Sequence, residues 1–198
     1  MDAMVQIARQ ELLDGVVLRE RAAQELAAPL AQAAEVIARS LQAGGKLLIC
    51  GNGGSAADAQ HYATELVARL YQRERPAMAA VALTTDTSAL TALANDYGFE
   101  RVFSRQVEAL GRPGDVLLGL STSGNSANVL AAMAEAKKRG MRVVVFVGQG
   151  GQMASLADVA LSVPSANTMR VQEIHLALGH VLCKLVEEMV YPSKESQA

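Results

Sequence analysis

Two side chains able to bind a metal or move a proton, His61 and Glu65, stand four residues apart. They close the run Cys50-Gly51-Asn52-Gly53-Gly54-Ser55-Ala56-Ala57-Asp58-Ala59-Gln60-His61-Tyr62-Ala63-Thr64-Glu65. At 3.6 residues per turn that spacing puts both on one helix face. An ordinary surface ion pair uses the same spacing, so the pair alone decides nothing. What precedes it says more. An apolar strand over 46–50 ends in glycines and feeds an Ala-rich stretch with no breaker before Arg73. Glycines let backbone N–H groups approach a ligand, and a helix start concentrates partial positive charge. The combination is a seat for an anion, and a phosphate suits it best.

A second loop, Ser121-Thr122-Ser123-Gly124-Asn125-Ser126, also follows a hydrophobic strand and opens a helix. Four hydroxyls around a glycine supply side-chain and backbone donors together. A plain Ser N-cap would need only one. The Gly-Lys-Ser/Thr ending of a nucleotide-triphosphate loop is absent, and Gly51–Gly54 does not match dinucleotide-binding spacing. Hydroxyl-lined loops without a lysine suit a sugar phosphate. Two of the three histidines fall in 170–180, where Gln172, His175 and His180 are candidate site residues. For a histidine on a mostly apolar helix, a hydrogen-bonded place in the core is the alternative. Asn95-Asp96 reads either as a helix-ending turn or as a polar ligand contact.

The elements that must position these residues alternate. Apolar residues at three- and four-residue spacing make 2–43 helical, and Gly15 with Ala28-Pro29 predicts a pair of helices over 3–24 and 28–42. Strands are expected over 46–50, 79–83, 115–120, 142–147 and 159–163. Helices are expected over 55–71, 88–94, 100–110, 126–138 and 168–189, with a short turn at 152–156. Near-continuous Val, Leu and Ile in strands that alternate with helices predict a five-stranded parallel sheet covered on both faces, an α/β three-layer αβα sandwich. Ligands of such sheets sit beyond the carboxyl ends of the strands, where both loops lie. The chain reads as one domain: N-terminal helices over 1–43 used for oligomer packing, an α/β core over 44–192 and a tail over 193–198.

Composition narrows the class. Of 198 residues, 51% are hydrophobic and 19% charged, which describes a compact globular chain. A net charge of −2 and a pI near 5.9 give no basic field for nucleic acid or an anionic membrane. Cys50 and Cys183 lie in apolar segments and form no disulfide framework, which fits a reducing cytoplasm. The N-terminus lacks a signal-peptide layout, and no apolar run approaches the roughly 20 residues a bilayer needs. With 4% aromatic residues and no Trp, the core is built from small aliphatic side chains, and large apolar helical faces call for a partner.

The chain resembles the sugar isomerase (SIS) domain family, and within it the phosphoheptose isomerases. The resemblance rests on Gly51–His61, Ala94-Asn95-Asp96-Tyr97-Gly98, Gly114-Asp115-Val116-Leu117, Ser121–Ser126 and Val171-Gln172-Glu173-Ile174-His175, and it runs from about Leu41 to Val190. It implies conversion of sedoheptulose 7-phosphate to glycero-manno-heptose 7-phosphate, the first step toward nucleotide-activated heptose. It also implies a cytoplasmic homotetramer with active sites between subunits and one zinc ion per subunit. The zinc ligands it implies are His61, Glu65, Gln172 and His180. Substrate contacts would be Asn52, Gly53, Gly54, Ser55, Glu65, Arg69, Asn95, Asp96, Ser121, Thr122, Ser123, Ser126 and Gln172, with Glu65 and His180 as the acid–base pair.

One expectation comes from helix geometry. Gln172 and His180 are eight residues apart, about 12 Å along a regular helix. If both hold one zinc, they come from different subunits, or Gln172 lies in a distorted first turn. The rivals share the fold. One is a non-catalytic adaptor that binds the replication initiator protein, to which Thr85-Asp86-Thr87 and Tyr191-Pro192 bear some likeness. The other is a sugar-phosphate-sensing regulatory domain, normally fused to a DNA-binding module. The adaptor would have no need of Glu65 together with His180, and the sensing domain would bind ligand without turnover.

Overall fold

The computed structural model describes residues 1–192, so the tail expected over 193–198 lies outside the described residues. Five strands, β1 (Leu47–Gly51), β2 (Ala80–Ala82), β3 (Val116–Ser121), β4 (Arg142–Val147) and β5 (Val159–Ser162), form one parallel sheet in the order β2-β1-β3-β4-β5. Strand residues alternate between two cores. Leu47, Ile49, Leu118, Leu120, Phe146 and Leu161 face α1 (Asp2–Gln42), α2 (Gly54–Val67) and α7 (Thr168–Val190). Leu48, Cys50, Leu117, Val143, Val145 and Val147 face the other layer. That layer comprises α3 (Thr87–Tyr97), a 3₁₀ turn (Phe99–Arg101), α4 (Ser104–Leu110), α5 (Ala127–Lys138) and the short α6 (Met153–Leu156). The three-layer αβα sandwich is thus as expected.

Two local expectations are corrected. The N-terminal pair of helices is one 41-residue helix, and Pro29 lies inside it. Proline removes one ladder hydrogen bond, yet Leu26, Leu30, Ala33, Ala34 and Ile37 around it are buried against the core, and that packing carries the helix through. The helix after β1 stops at Val67 instead of running to Tyr71. The N–H groups of Leu70, Tyr71 and Gln72 bond the Glu187 carboxylate on α7, which draws the chain out of the helix.

The order in which strands are added reverses between β1 and β3, with β2 on one side and β4 on the other, all strands remaining parallel. The crevice at this switch point is where parallel α/β sheets take ligands. The loops at the carboxyl ends of β1 and β3 are the glycine loop and the serine loop. The first half of α1 is exposed, including Val5, Ile7, Leu12, Leu13, Val16 and Val17. Among the described residues no helix is long and apolar enough to cross a membrane.

Candidate active site

The glycine loop turns tightly. Gly53 takes φ +55 and ψ −121 as the N-cap of α2, a conformation that a side chain would strain. It has no side chain to offer, so no side-chain cap closes the first turn of this 14-residue helix. A Cβ on Gly51 would stand 2.8 Å from the Cβ of Ser55, which is itself buried. A Cβ on Gly54 would stand 2.7 Å from Nε2 of Gln172. Asn52 and Asn128 exchange amide hydrogen bonds of 2.9 and 2.8 Å.

In the serine loop, Ser126 is the N-cap of α5 but makes no capping bond. Its Oγ lies 2.8 Å from Ser121 Oγ, which is also 3.3 Å from Ser123 Oγ. The plain-cap alternative therefore does not describe Ser126. Thr122 is half-buried and Ser123 exposed. Two helix N-termini without side-chain caps, those of α2 and α5, open at neighbouring strand ends. Their N–H groups and dipoles favour an anion there.

The third component lies on the seam between α2 and α7. His61 Nε2 is 3.0 Å from Glu65 Oε1 and also 3.0 Å from His180 Nε2. One ligand atom from each residue falls within 4.8 Å of the other two. The two imidazoles meet edge to face, with ring centroids 4.7 Å apart. A close approach of the helices makes this possible: a Cβ on Gly179 would stand 2.0 Å from Cε1 of Tyr62. Tyr62 and Gly179 are the neighbours of His61 and His180, so the tightest contact of the seam sits beside the cluster. Asp58, one turn before His61, borders it too. Burial pushes the Asp58 carboxyl above its ordinary range, while His61 and His180 pull it back.

The cluster fits a metal. A single Nε2 proton can satisfy only one of the two 3.0 Å contacts that His61 makes, whereas one cation would satisfy all three groups. Ligand atoms around a tetrahedral zinc stand about 3.3 Å apart, comparable with the spacing here. His61, Glu65 and His180 could hold such an ion.

The other expected residues are dispersed. Gln172 is half-buried against Gly54, at the start of α2, and stands eight residues ahead of His180 on a regular α7. Asn95 and Asp96 are exposed on the last turn of α3, the Asn95 amide donating to the Asp96 carboxylate at 2.8 Å. Arg69 is exposed just beyond α2. His175 is a core residue. It is fully buried, its Nε2 lies 3.3 Å from the Val147 carbonyl, and burial lowers its pKa to about 4. Sequence reasoning missed Asn128, Asp58 and the Tyr62–Gly179 contact. A signal existed only for Asp58, which precedes His61 and Glu65 by three and seven residues on the same helix face.

Three comparisons extend this geometry. The SIS domain family model matches residues 14–148. A relative from Roseiflexus sp. (strain RS-1) named phosphoheptose isomerase is 52% identical over 182 residues, covering 91% of this chain and 92% of its own. Another of that name from Aromatoleum aromaticum is 55% identical over 187 residues, covering 92% and 93%. The solved structure of phosphoheptose isomerase from Neisseria gonorrhoeae superposes with a TM-score of 0.88 at 47% identity, covering 93% of this chain and 99% of that one.

Proposed function

The chain belongs to the phosphoheptose isomerases of the SIS-domain family, and on that premise we propose that it converts sedoheptulose 7-phosphate into D-glycero-D-manno-heptose 7-phosphate in the cytoplasm. The single observation that carries this reading is the convergence within 4.8 Å of His61 and Glu65 of α2, the helix whose uncapped start belongs to the glycine loop, with His180 of α7. The reaction moves a carbonyl from C2 to C1: a proton leaves C1, an enediol forms, and a proton returns to C2. Glu65 takes the carbon-bound proton and returns it. His180 hands a proton between the two oxygens. A placed base and a placed acid each contribute ~10²–10⁴-fold.

Zinc, held by His61, Glu65 and His180 with Gln172 as fourth ligand, would polarise the substrate oxygens. A carboxylate that is also a ligand loses basicity, so Glu65 would act as base only while free of such an ion, or the ion would be chiefly organisational. The phosphate rests against Ser121, Thr122, Ser123 and Ser126, and the sugar against Asn52, Gly53, Gly54 and Ser55, with Arg69, Asn95, Asp96 and Gln172 completing the pocket.

The last group supports a homotetramer with active sites between subunits. Gln172 lies two helical turns from His180 within one chain, and Arg69, Asn95 and Asp96 are exposed. The exposed apolar stripe of α1 supplies an interface. We read 1–43 as that packing surface and 44–192 as the catalytic core. The adaptor alternative gains no support from the relatives. Incubation with sedoheptulose 7-phosphate, followed by NMR, tests the reading: aldose signals should grow, and a chelator should slow them. No aldose from metal-loaded protein would overturn it.

A further inference from the structure

Asn128, the second residue of α5, is 4% exposed, and in the bonds it makes its amide faces Asn52 alone. The two side chains satisfy each other reciprocally across the crevice, at 2.9 and 2.8 Å. The loops they join leave neighbouring strands, with Gly51 paired to Leu120. Besides this pair, the distant contacts of the turn are Gln172 packed against Gly54 and the bond from Thr84 Oγ1 to the Ala56 carbonyl, both on the α2 side of Gly53. Gly53 carries no side chain, and nothing lies within 4 Å of where its Cβ would be. Its backbone bonds are local, from Ser55 N to the Asn52 carbonyl and from Ala56 N to the Gly53 carbonyl. A primary amide offers two N–H groups and two lone pairs. The pairing uses one of each on Asn52 and leaves the others for a ligand.

We propose that Asn128 is a positioning residue: its amide fixes Asn52, and with it the glycine turn that opens α2, in register with the serine loop. The sugar-phosphate reading above enters only in that Asn52, Gly53 and Gly54 meet the substrate. Asn128 itself meets none of it. A brace of this kind acts before catalysis, on the shape of the empty crevice, so its loss should weaken substrate binding and spare the proton transfers.

The test uses the metal-loaded enzyme and the variants N128A, N52A and the double variant. In N128A, which removes both bonds of the pair, KM for sedoheptulose 7-phosphate should rise about tenfold, the low end for two lost hydrogen bonds, with kcat within about twofold. Adding N128A to N52A should change KM less than about twofold, because a brace has nothing to hold once Asn52 is truncated. Additive effects, or a fall in kcat with KM unchanged, would overturn the proposal. Hydrogen exchange at the backbone amides of Ser55, Ala56 and Ala57, whose bonds to the Asn52 and Gly53 carbonyls close the turn, decides the same point without substrate: N128A should speed it about tenfold. N128D, which keeps an acceptor but removes the donor, should fall between and serves if N128A does not fold. Unchanged exchange sinks the brace whatever the activity. Wild-type protein inert toward the heptulose phosphate counts against the functional reading instead, and the exchange measurement still stands.

Discussion

One helix seam carries two carboxylates in opposite conditions. Toward the end of α7, Glu187 has a side chain only 3% exposed and is saturated: Arg75 Nε donates to it at 2.8 Å and the N–H groups of Leu70, Tyr71 and Gln72 at 2.7–3.2 Å. Burial would raise the pKa of Glu187, but Arg75 and the backbone donors overcome it and hold the carboxyl below its ordinary value. About 10 Å further up α7 lies His180, and across the seam on α2 Glu65 has one side-chain contact, to His61, which is itself shared with His180. The saturated group has nothing left to give a ligand and shapes the fold. The unsaturated group sits where a cation or a substrate proton would complete it. The ends are linked, since Arg75 Nη2 also donates to the Glu65 carbonyl at 2.8 Å.

The sharpest way to break this contrast is to neutralise each carboxylate in turn. Glu65→Gln should lower turnover ~10²–10⁴-fold, the range of a lost general base, and abolish exchange of the substrate C1 proton with solvent. Its melting temperature should stay close to wild type. If exchange continued at the normal rate, Glu65 would not be the base. If instead the protein melted early, Glu65 would belong with Glu187.

Glu187→Gln should do the reverse. Removing one partner of a buried ion pair costs about 3–5 kcal/mol, because Arg75 keeps its charge without compensation. Activity per folded molecule should change little. The pH dependence carries a sign. The pKa of Glu187 is depressed in the folded state, so its stabilisation is present above the ordinary value of 4.5 and is lost as pH falls below it. Denaturant melts of the variant between pH 6 and 3 should lack that part of the acid loss. A wild-type acid limb in the variant would mean the carboxylate is not saturated as described.

How far the sequence reveals this contrast differs by residue. The sheet, its strands and both loops follow from hydrophobic runs ending in glycine or serine, local patterns that need no knowledge of the rest of the chain. His61 with Glu65 is legible because both lie on one helix. Their meeting with His180 is not a local property. It depends on the helix crossing at Tyr62 and Gly179, and no periodicity announces that crossing. The end of α2 is hidden for the same reason, since Val67 is followed by good helix formers and only the distant Glu187 diverts them. Pro29 misled in the other direction, because a local breaker is overridden by burial on both sides of it.

Gly179, packed against Tyr62 and next to His180, gives the finest test of the seam. In a helix interior, alanine is favoured over glycine by about 1 kcal/mol, so Gly179→Ala without other consequences would raise stability. Here the new Cβ would fall 2.0 Å from Tyr62 Cε1, closer than atoms can stand. Overpacking of this kind costs about 1–3 kcal/mol, so the net change should be destabilising and small. Its chemical signature should be larger than its thermal one: prising α7 from α2 separates His180 from His61, and metal retention should fall about tenfold, measured by competition with a chelator. Tyr62→Val in the same chain makes room for the methyl group and should restore metal retention, although it forfeits the bond from Tyr62 Oη to the His175 carbonyl. A stabilised Gly179→Ala variant with normal metal retention would mean that the seam can part without disturbing the cluster, and the close approach of the two helices would lose its assigned role.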